Sequence, residues 1–311
     1  MSEPRISVVV PARNAADTIG QCLGGLAAQS LSRELFEVLV AVDMQPADGT
    51  AEIARSMGAH VVTQTMRGAG SARNDGVAAA RGEWIAFTDA DCIPSRGWLK
   101  ALLAVVEAGQ GNGPVLGAAG QTVGIDSTTA AARFVDITGG LRADRHLAHQ
   151  RYPWAPTTNV LYRRDALVAV RGFDPRFDSY EGCDLHTRLT RQVGGEFLYA
   201  ERAIVNHRHR QGWRAYWRQQ RSYGRGYAQF FHRYEAELPW SVGAEMREWA
   251  RLAILGFAAL RPGRDDAALV RRGTFVKRLA QRLGFVTTYW SRREGSRWRG
   301  EAPIGAALSN D

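Results

Sequence analysis

Lysine is almost missing from this chain of 311 residues, since Lys100 and Lys277 stand against 38 arginines. No Gly-x-x-x-x-Gly-Lys loop is present, so P-loop nucleotide hydrolysis is excluded. Nor is there a Gly-x-Gly-x-x-Gly after the first strand, and Gly68-Ala69-Gly70 has Arg73 where the third glycine would fall, which removes the dehydrogenase reading. Cysteine is scarce too. Cys22, Cys92 and Cys183 lie far apart with no Cys-x-x-Cys pair, against a disulfide framework or a thiolate zinc site and in keeping with a reducing, cytoplasmic setting. Long apolar runs are lacking: the best, 252–260, is far short of the roughly 20 residues that span a bilayer and is flanked by Arg251 and Arg261. Met1-Ser2-Glu3-Pro4-Arg5 runs straight into a strand, with no basic segment and apolar signal core.

What is present is an ordinary globular composition, 45% hydrophobic and 23% charged, in a chain long enough for one large domain with an appendage. The charge is unevenly placed. Residues 1–207 carry 20 Lys+Arg against 22 acids, whereas residues 208–299 carry 20 against 7. A basic surplus confined to the C-terminal third points to an anionic partner: a membrane surface, a phosphorylated lipid or nucleic acid.

Along the chain, apolar strands alternate with amphipathic helices. Strands are expected at 6–10, 36–42, 60–63, 84–88 and 116–121, with helices at 15–29, 50–57, 71–80 and 98–107 between them. Ile19, Leu23, Leu26 and Ala27 mark the buried face of the first helix. Such alternation means parallel strands with crossover helices. Residues 128–149 read as helical, and a strand to Tyr162, a helix at 165–170, a helix at 183–192 and short strands at 196–200 and 203–207 follow. Beyond lie three arginine- and aromatic-rich helical segments, 212–234, 242–260 and 267–290, so the chain divides into residues 1–210 and a helical appendage, 211–311.

The chemistry gathers at strand ends. Trp84-Ile85-Ala86-Phe87-Thr88 leads into Asp89-Ala90-Asp91, two carboxylates at the carboxyl edge of a sheet, where open α/β folds bind ligands. With side chains repeating every second residue, both acids would face one mouth and share a hard divalent cation that grips phosphate. Asp43 ends the second strand and Pro11-Ala12-Arg13-Asn14 follows the first, so both open on that edge. Asp43 would accept a hydrogen bond from a base or ribose, Pro11-Ala12 would lie against the base, and Arg13, Arg67 and Arg73 would meet phosphates.

Val8-Val9-Val10-Pro11-Ala12-Arg13-Asn14, Asp43 with Asp48-Gly49-Thr50, Gly70-Ser71-Ala72-Arg73-Asn74-Asp75-Gly76, the Gly82 to Cys92 segment and Gly172-Phe173-Asp174 followed by Glu181 together resemble a family-2 glycosyltransferase over residues 5–210. The resemblance implies a GT-A fold, a Rossmann-like, mostly parallel sheet flanked by helices. It also implies a nucleotide-sugar donor, a UDP-sugar first, a Mn²⁺ or Mg²⁺ ion, and inverting transfer to an acceptor hydroxyl in polysaccharide or glycolipid biosynthesis. By match, Pro11, Ala12, Arg13, Asp43 and Ala90 contact the nucleotide, Asp89 the ribose or metal-bound waters, and Asp91 the metal, with His207 (or its neighbour His209) completing the metal's coordination.

Two positions depart from the family pattern. Its Glu-Asp-x-Asp-Leu segment, which carries the general base, reads Glu181-Gly182-Cys183-Asp184-Leu185, so the usual base is a glycine. Glu181 becomes the first choice of base and Asp184 the second. Met44 stands where another acid often follows Asp43. The acceptor is expected to be a saccharide or polyprenyl-linked, at the inner face of the membrane. Competing readings are a nucleic-acid binder using Trp213, Trp217, Tyr223 and Phe230 on the basic helices, and a catalytically inactive homologue. A sugar nucleotidyltransferase would need a glycine-rich, lysine-bearing loop where this chain has Arg13-Asn14-Ala15-Ala16.

Overall fold

The structure, a computed structural model, describes residues 3–43, 48–109, 113–238 and 240–291. Its first half follows the expected alternation: β1 (Ile6–Ala12), α1 (Ala16–Ala27), β2 (Phe36–Val42), α2 (Thr50–Ser56), β3 (His60–Thr63), α3 (Ala69–Ala79), β4 (Trp84–Phe87), β5 (Cys92–Pro94) and α4 (Trp98–Gly109). There follow β6 (Val115–Ile125), α5 (Ala130–Thr138), α6 (Ala143–Leu147), β7 (Val160–Arg163), α7 (Arg164–Ala169), α8 (Glu181–Arg188) and β8 (Glu196–Arg208). Three longer helices close the described chain: α9 (Trp213–Arg233), α10 (Val242–Ala259) and α11 (Asp266–Tyr289).

The strands form one sheet in the order β3-β2-β1-β4-β7-β6-β8-β5. β3, β2, β1 and β4 are parallel, and β6 and β8 run parallel to each other; β7 and β5 are reversed. Because β2, β1 and β4 are adjacent and parallel, the segments after Val42, Ala12 and Phe87 all emerge at one carboxyl edge. The sheet is covered on both faces. Ile6, Val8 and Val10 pack with Ile19, Leu23, Leu99 and Leu102 on one side, while Val9, Ile85 and Phe87 pack with Val77, Leu167, Phe173 and Leu185 on the other.

Several expectations are corrected. β1 continues through Pro11 to Ala12. In α1 the buried set is Ile19, Cys22, Leu23 and Leu26, with Ala27 exposed. The 128–149 segment is two short helices, broken where Gly139 takes φ 68°. The two strands foreseen at 196–200 and 203–207 are one, β8. Its register against β6 jumps from Ala200 opposite Gly120 to Ile204 opposite Gln121, and the intervening Glu201 and Arg202 bulge into solvent. No helix among the described residues is long and apolar enough to cross a membrane.

α9 and α11 pack closely through glycine. A Cβ on Gly224 would overlap the Gln281 backbone, and one on Gly284 the Arg221 backbone. Gly226 likewise lets α9 approach the Ser179 backbone just ahead of α8. The C-terminal helices are thereby pressed against the segment that carries Glu181.

Candidate active site

The loop after β1 is tied to the end of β2 and the start of α2. Asp48 caps α2 through Thr50 N (3.1 Å) and accepts from Ala16 N (3.2 Å), while Thr50 Oγ1 accepts from Ala15 N (3.1 Å). Beside this brace, Arg13 Nε meets Asp43 Oδ2 at 3.1 Å, with Arg13 well exposed and Asp43 mostly covered. Ala12 and Ala90 turn their methyl groups into the core, and Pro11 is half-buried. Contact with a base or phosphate at these alanines therefore falls to the backbone. Arg67 is exposed in the loop before α3. Met44 lies outside the described residues.

Asp89 and Asp91 are not on the strand, because β4 ends at Phe87. A tight turn, closed by Cys92 N donating to Asp89 O at 3.0 Å, places the two carboxylates instead. Each keeps about a quarter of its side chain exposed, 29% for Asp89 and 25% for Asp91. Burial raises the Asp91 carboxyl above its ordinary range, and the charge of Asp89 adds to the push against the opposing pull of His207 and Arg210.

Arg73 was expected among the phosphate contacts and is found elsewhere. Its side chain is 5% exposed, and it donates to Asp89 Oδ1 (3.1 Å) and to Glu181 Oε1 (2.9 Å). Burial would lower its pKa, but the two carboxylates overcome that and raise it. The guanidinium is therefore a strut that fixes one carboxylate from the β4 turn against one from the first turn of α8. Phe173 of the Gly-Phe-Asp motif supports it from beneath. Its ring lies 5.6 Å from the guanidinium carbon and its backbone exchanges two 2.8 Å hydrogen bonds with Asn74 on α3.

The two candidate bases have different environments. Glu181 lines the site cavity, and its second oxygen has no hydrogen-bond partner among the described residues. Asp184 is fully buried, and its oxygens accept from Arg188 Nε (2.8 Å), Arg233 Nε (2.7 Å) and Tyr234 Oη (2.9 Å). Asp184, the second choice of base, does not border the cavity, and its three donors fasten α8 in place. Gly182 also lines the cavity, and a Cβ there would meet only Thr157 Cγ2 at 3.4 Å and the Ala155 carbonyl at 3.8 Å.

On the opposite wall His207 Nε2 lies 3.7 Å from Asp91 Oδ1. Asp91, His207 and Cys92 present atoms within 4.8 Å of one another, but burial raises the Cys92 thiol and keeps it protonated, which leaves a carboxylate and an imidazole as donors. The imidazole is wired for that role. His207 Nδ1 is 3.2 Å from His209 Nδ1, and His209 Nε2 is 3.5 Å from Asp136 Oδ1 on α5. A proton on His207 Nδ1 donating to His209, and one on His209 Nε2 facing Asp136, leave His207 Nε2 with a free lone pair toward Asp91. Gly124 permits this arrangement, because a Cβ there would collide with both Asp136 and His209.

Asp89, Glu181 and His207 border one cavity of about 360 Å³. Its other walls hold residues that the sequence reading had no signal for: Trp154, Ser179, Lys277 and Gln281. Gln219 lines it too, whereas Arg218 and Arg221 on the same helix are exposed. The aromatic side chains offered for nucleic-acid stacking are largely engaged: Trp213 packs on Phe134, Phe230 is buried against Tyr152, and Tyr223 faces the cavity.

Comparison with known proteins agrees with this geometry. The model of the family described as Glycosyl transferase family 2 matches residues 7–170. The chain is 30% identical over 220 residues to glycosyltransferase AglE of Haloferax volcanii, covering 66% of this chain and 67% of that protein. It is also 30% identical over 226 residues to the pre-mycofactocin glycosyltransferase of Mycobacterium tuberculosis, covering 66% of this chain and 43% of that one. Among solved structures, mannosyltransferase PcManGT from Pyrobaculum calidifontis, in complex with GDP-Man and Mn²⁺, superposes with a TM-score of 0.66 at 21% identity over 94% of this chain and 89% of that one. Residues 1–349 of Staphylococcus aureus TarS with UDP-GlcNAc give a TM-score of 0.52 at 18% identity over 94% of this chain and 92% of that one.

Proposed function

From the premise that the chain belongs to glycosyl transferase family 2 and has a GT-A fold, we propose that it transfers a sugar from a nucleotide-sugar donor, a UDP-sugar first, to an acceptor hydroxyl with inversion. The observation that carries this reading is the meeting of Asp89, Glu181 and His207 around one cavity between the sheet edge and the C-terminal helices. We divide the chain accordingly: residues 1–210 bind the donor and hold the reacting groups, and α9 and α11 of the C-terminal region supply the acceptor's far wall. The acceptor is a saccharide or polyprenyl-linked, in polysaccharide or glycolipid biosynthesis.

In this reading Asp43 and the Pro11 to Arg13 backbone receive the nucleoside, and Arg13 and Arg67 meet the diphosphate from solvent. Asp91 and His207 fit a divalent ion, since a carboxylate and an imidazole are donors suited to Mn²⁺. Such an ion, when bound, supplies positive charge against the departing diphosphate. Glu181 accepts the proton of the acceptor hydroxyl at its unoccupied oxygen, while Arg73 holds the carboxylate in place. Asp89, tied to the same arginine, faces the ribose or metal-bound waters. The direct test is thermal melting of wild type and Asp91→Ala against UDP-, GDP- and dTDP-sugars with Mn²⁺. One donor should raise the wild-type Tm in a Mn²⁺-dependent way, and Asp91→Ala should lose that rise while melting normally without ligand. An undiminished rise in the variant overturns the metal assignment.

The inactive-homologue reading has one observation behind it, the glycine at 182. Product stereochemistry on a transferred sugar separates the two, because an inactive homologue gives no product at all.

A further inference from the structure

α10 departs from the rule that a surface helix turns its apolar stripe inward. Among its described residues only Leu252 is buried. Met246, Ile254 and Phe257 are 68%, 67% and 74% exposed, and Val242 and Leu260, at its two ends, are 60% and 79% exposed. At 100° per residue these five positions fall within an arc of roughly 120°, so they form one continuous outward stripe about 27 Å long. Arg247 flanks the stripe, and Arg261 and Arg264 follow its C-terminal end, all exposed. The nearby acids are already engaged: Glu245 with Arg282, Glu248 with Arg251, and Asp266 with Arg133.

We infer that α10 is a docking helix that lies flat in the surface of a bilayer carrying anionic lipid. The stripe enters the headgroup and acyl boundary, and the flanking guanidiniums reach lipid phosphates. The helix is too short and too charged to span. Charge decides between a membrane and a second copy of the chain: two such faces packed together would oppose arginine to arginine, whereas an anionic surface complements them. The docking itself stands whether or not the donor and acceptor assigned above are right.

Vesicle flotation of the full chain tests it. Wild type should float with phosphatidylcholine vesicles containing phosphatidylglycerol, should stay down with phosphatidylcholine alone, and should be released by salt. Ile254→Ser with Phe257→Ser should weaken binding about tenfold or more, and Arg247→Glu with Arg261→Glu should abolish the anionic-lipid preference, both with an unchanged Tm because these side chains are solvent-exposed. An environment-sensitive dye on Ile254→Cys should shift to the blue on vesicle addition; the native cysteines are buried and leave the label specific. Flotation of the Ser variant at wild-type level overturns the inference. So does light scattering that shows a dimer which the Ser variant dissociates, because the face would then be a self-association surface.

Discussion

The sheet edge and the helical wall that face each other across the site are built on opposite principles. At the edge, Arg13, Asp43, Asp89 and Asp91 stand on short loops, partly open to solvent. The wall is anchored from behind. Asp174 is gripped by Arg176 (2.7 Å) and Arg233 (2.6 Å), and Asp184 by Arg188, Arg233 and Tyr234, all mostly or fully buried. Burial would raise the Asp174 carboxyl, yet the hydrogen bonds and charges of its arginines hold it below the usual range. In the proposed reading, a mobile, charged donor meets accessible ligands on the sheet side, while rigidity is concentrated where the acceptor is held against a base. Glu181 and Asp184 make the contrast within a single turn of helix: one faces the cavity, the other fastens the helix in place.

The largest effect should come from removing the front carboxylate of the wall. Glu181→Gln keeps the bond to Arg73 and the shape, so melting and donor-induced stabilisation should persist, while transfer falls by about 10²–10⁴. Gly182→Asp placed on that background has room toward Thr157, and it should recover part of the rate by restoring an acid at the neighbouring position. Transfer by Glu181→Gln at near wild-type rate would erase the distinction between the two sides. Behind the wall, Arg233→Ala should cost stability instead, about 3–5 kcal/mol, because it leaves buried carboxylates short of a partner. Chemical denaturation reads it, and a small loss would mean that α9 is not the anchor described.

The edge was legible in the sequence because each of its parts is local. Asp48-Gly49-Thr50 braces its neighbouring loop, and Asp89-Ala90-Asp91 directly follows its own strand, so short motifs carry them; even there the turn, not strand periodicity, aims the two acids. The wall was illegible for the converse reason. Asp184 reads as a first-turn acid until Arg233 and Tyr234 arrive from 49 and 50 residues on, and Lys277 and Gln281 reach the cavity only because glycines let α11 and α9 touch. Arg73 shows the same limit within a motif, since nothing in its spacing reveals that two carboxylates will claim it.

A smaller effect is expected at the edge itself. Asp43→Ala removes a contact shared by ground and transition states, so it should raise the donor KM about tenfold with kcat nearly unchanged. Steady-state kinetics checks the split. A loss of kcat with an unchanged KM would assign Asp43 to the chemistry and blur the contrast with Glu181.

A further effect concerns how the wall responds to acid. His186, on α8 between Asp184 and Arg188, is buried with its ring 3.9 Å from that of Phe197, and its Nδ1 has no hydrogen-bond partner. Burial lowers its pKa to about 3. A histidine whose folded pKa lies below its unfolded value, about 6.5, binds its proton more readily when unfolded. Its contribution is therefore complete above about pH 6.5 and is lost progressively as the pH falls toward the folded pKa, at up to about 1.4 kcal/mol per pH unit. His146, lowered to about 4 by burial, acts in the same direction. His186→Phe keeps a planar ring beside Phe197 and removes one of the two titrations. Between pH 6.5 and about 4.5 the variant should lose stability less steeply than wild type, and subtracting the two curves cancels every other titrating group. Parallel curves would show that the ring of His186 is protonated without penalty, and that the α8 wall is more open to water than its packing implies.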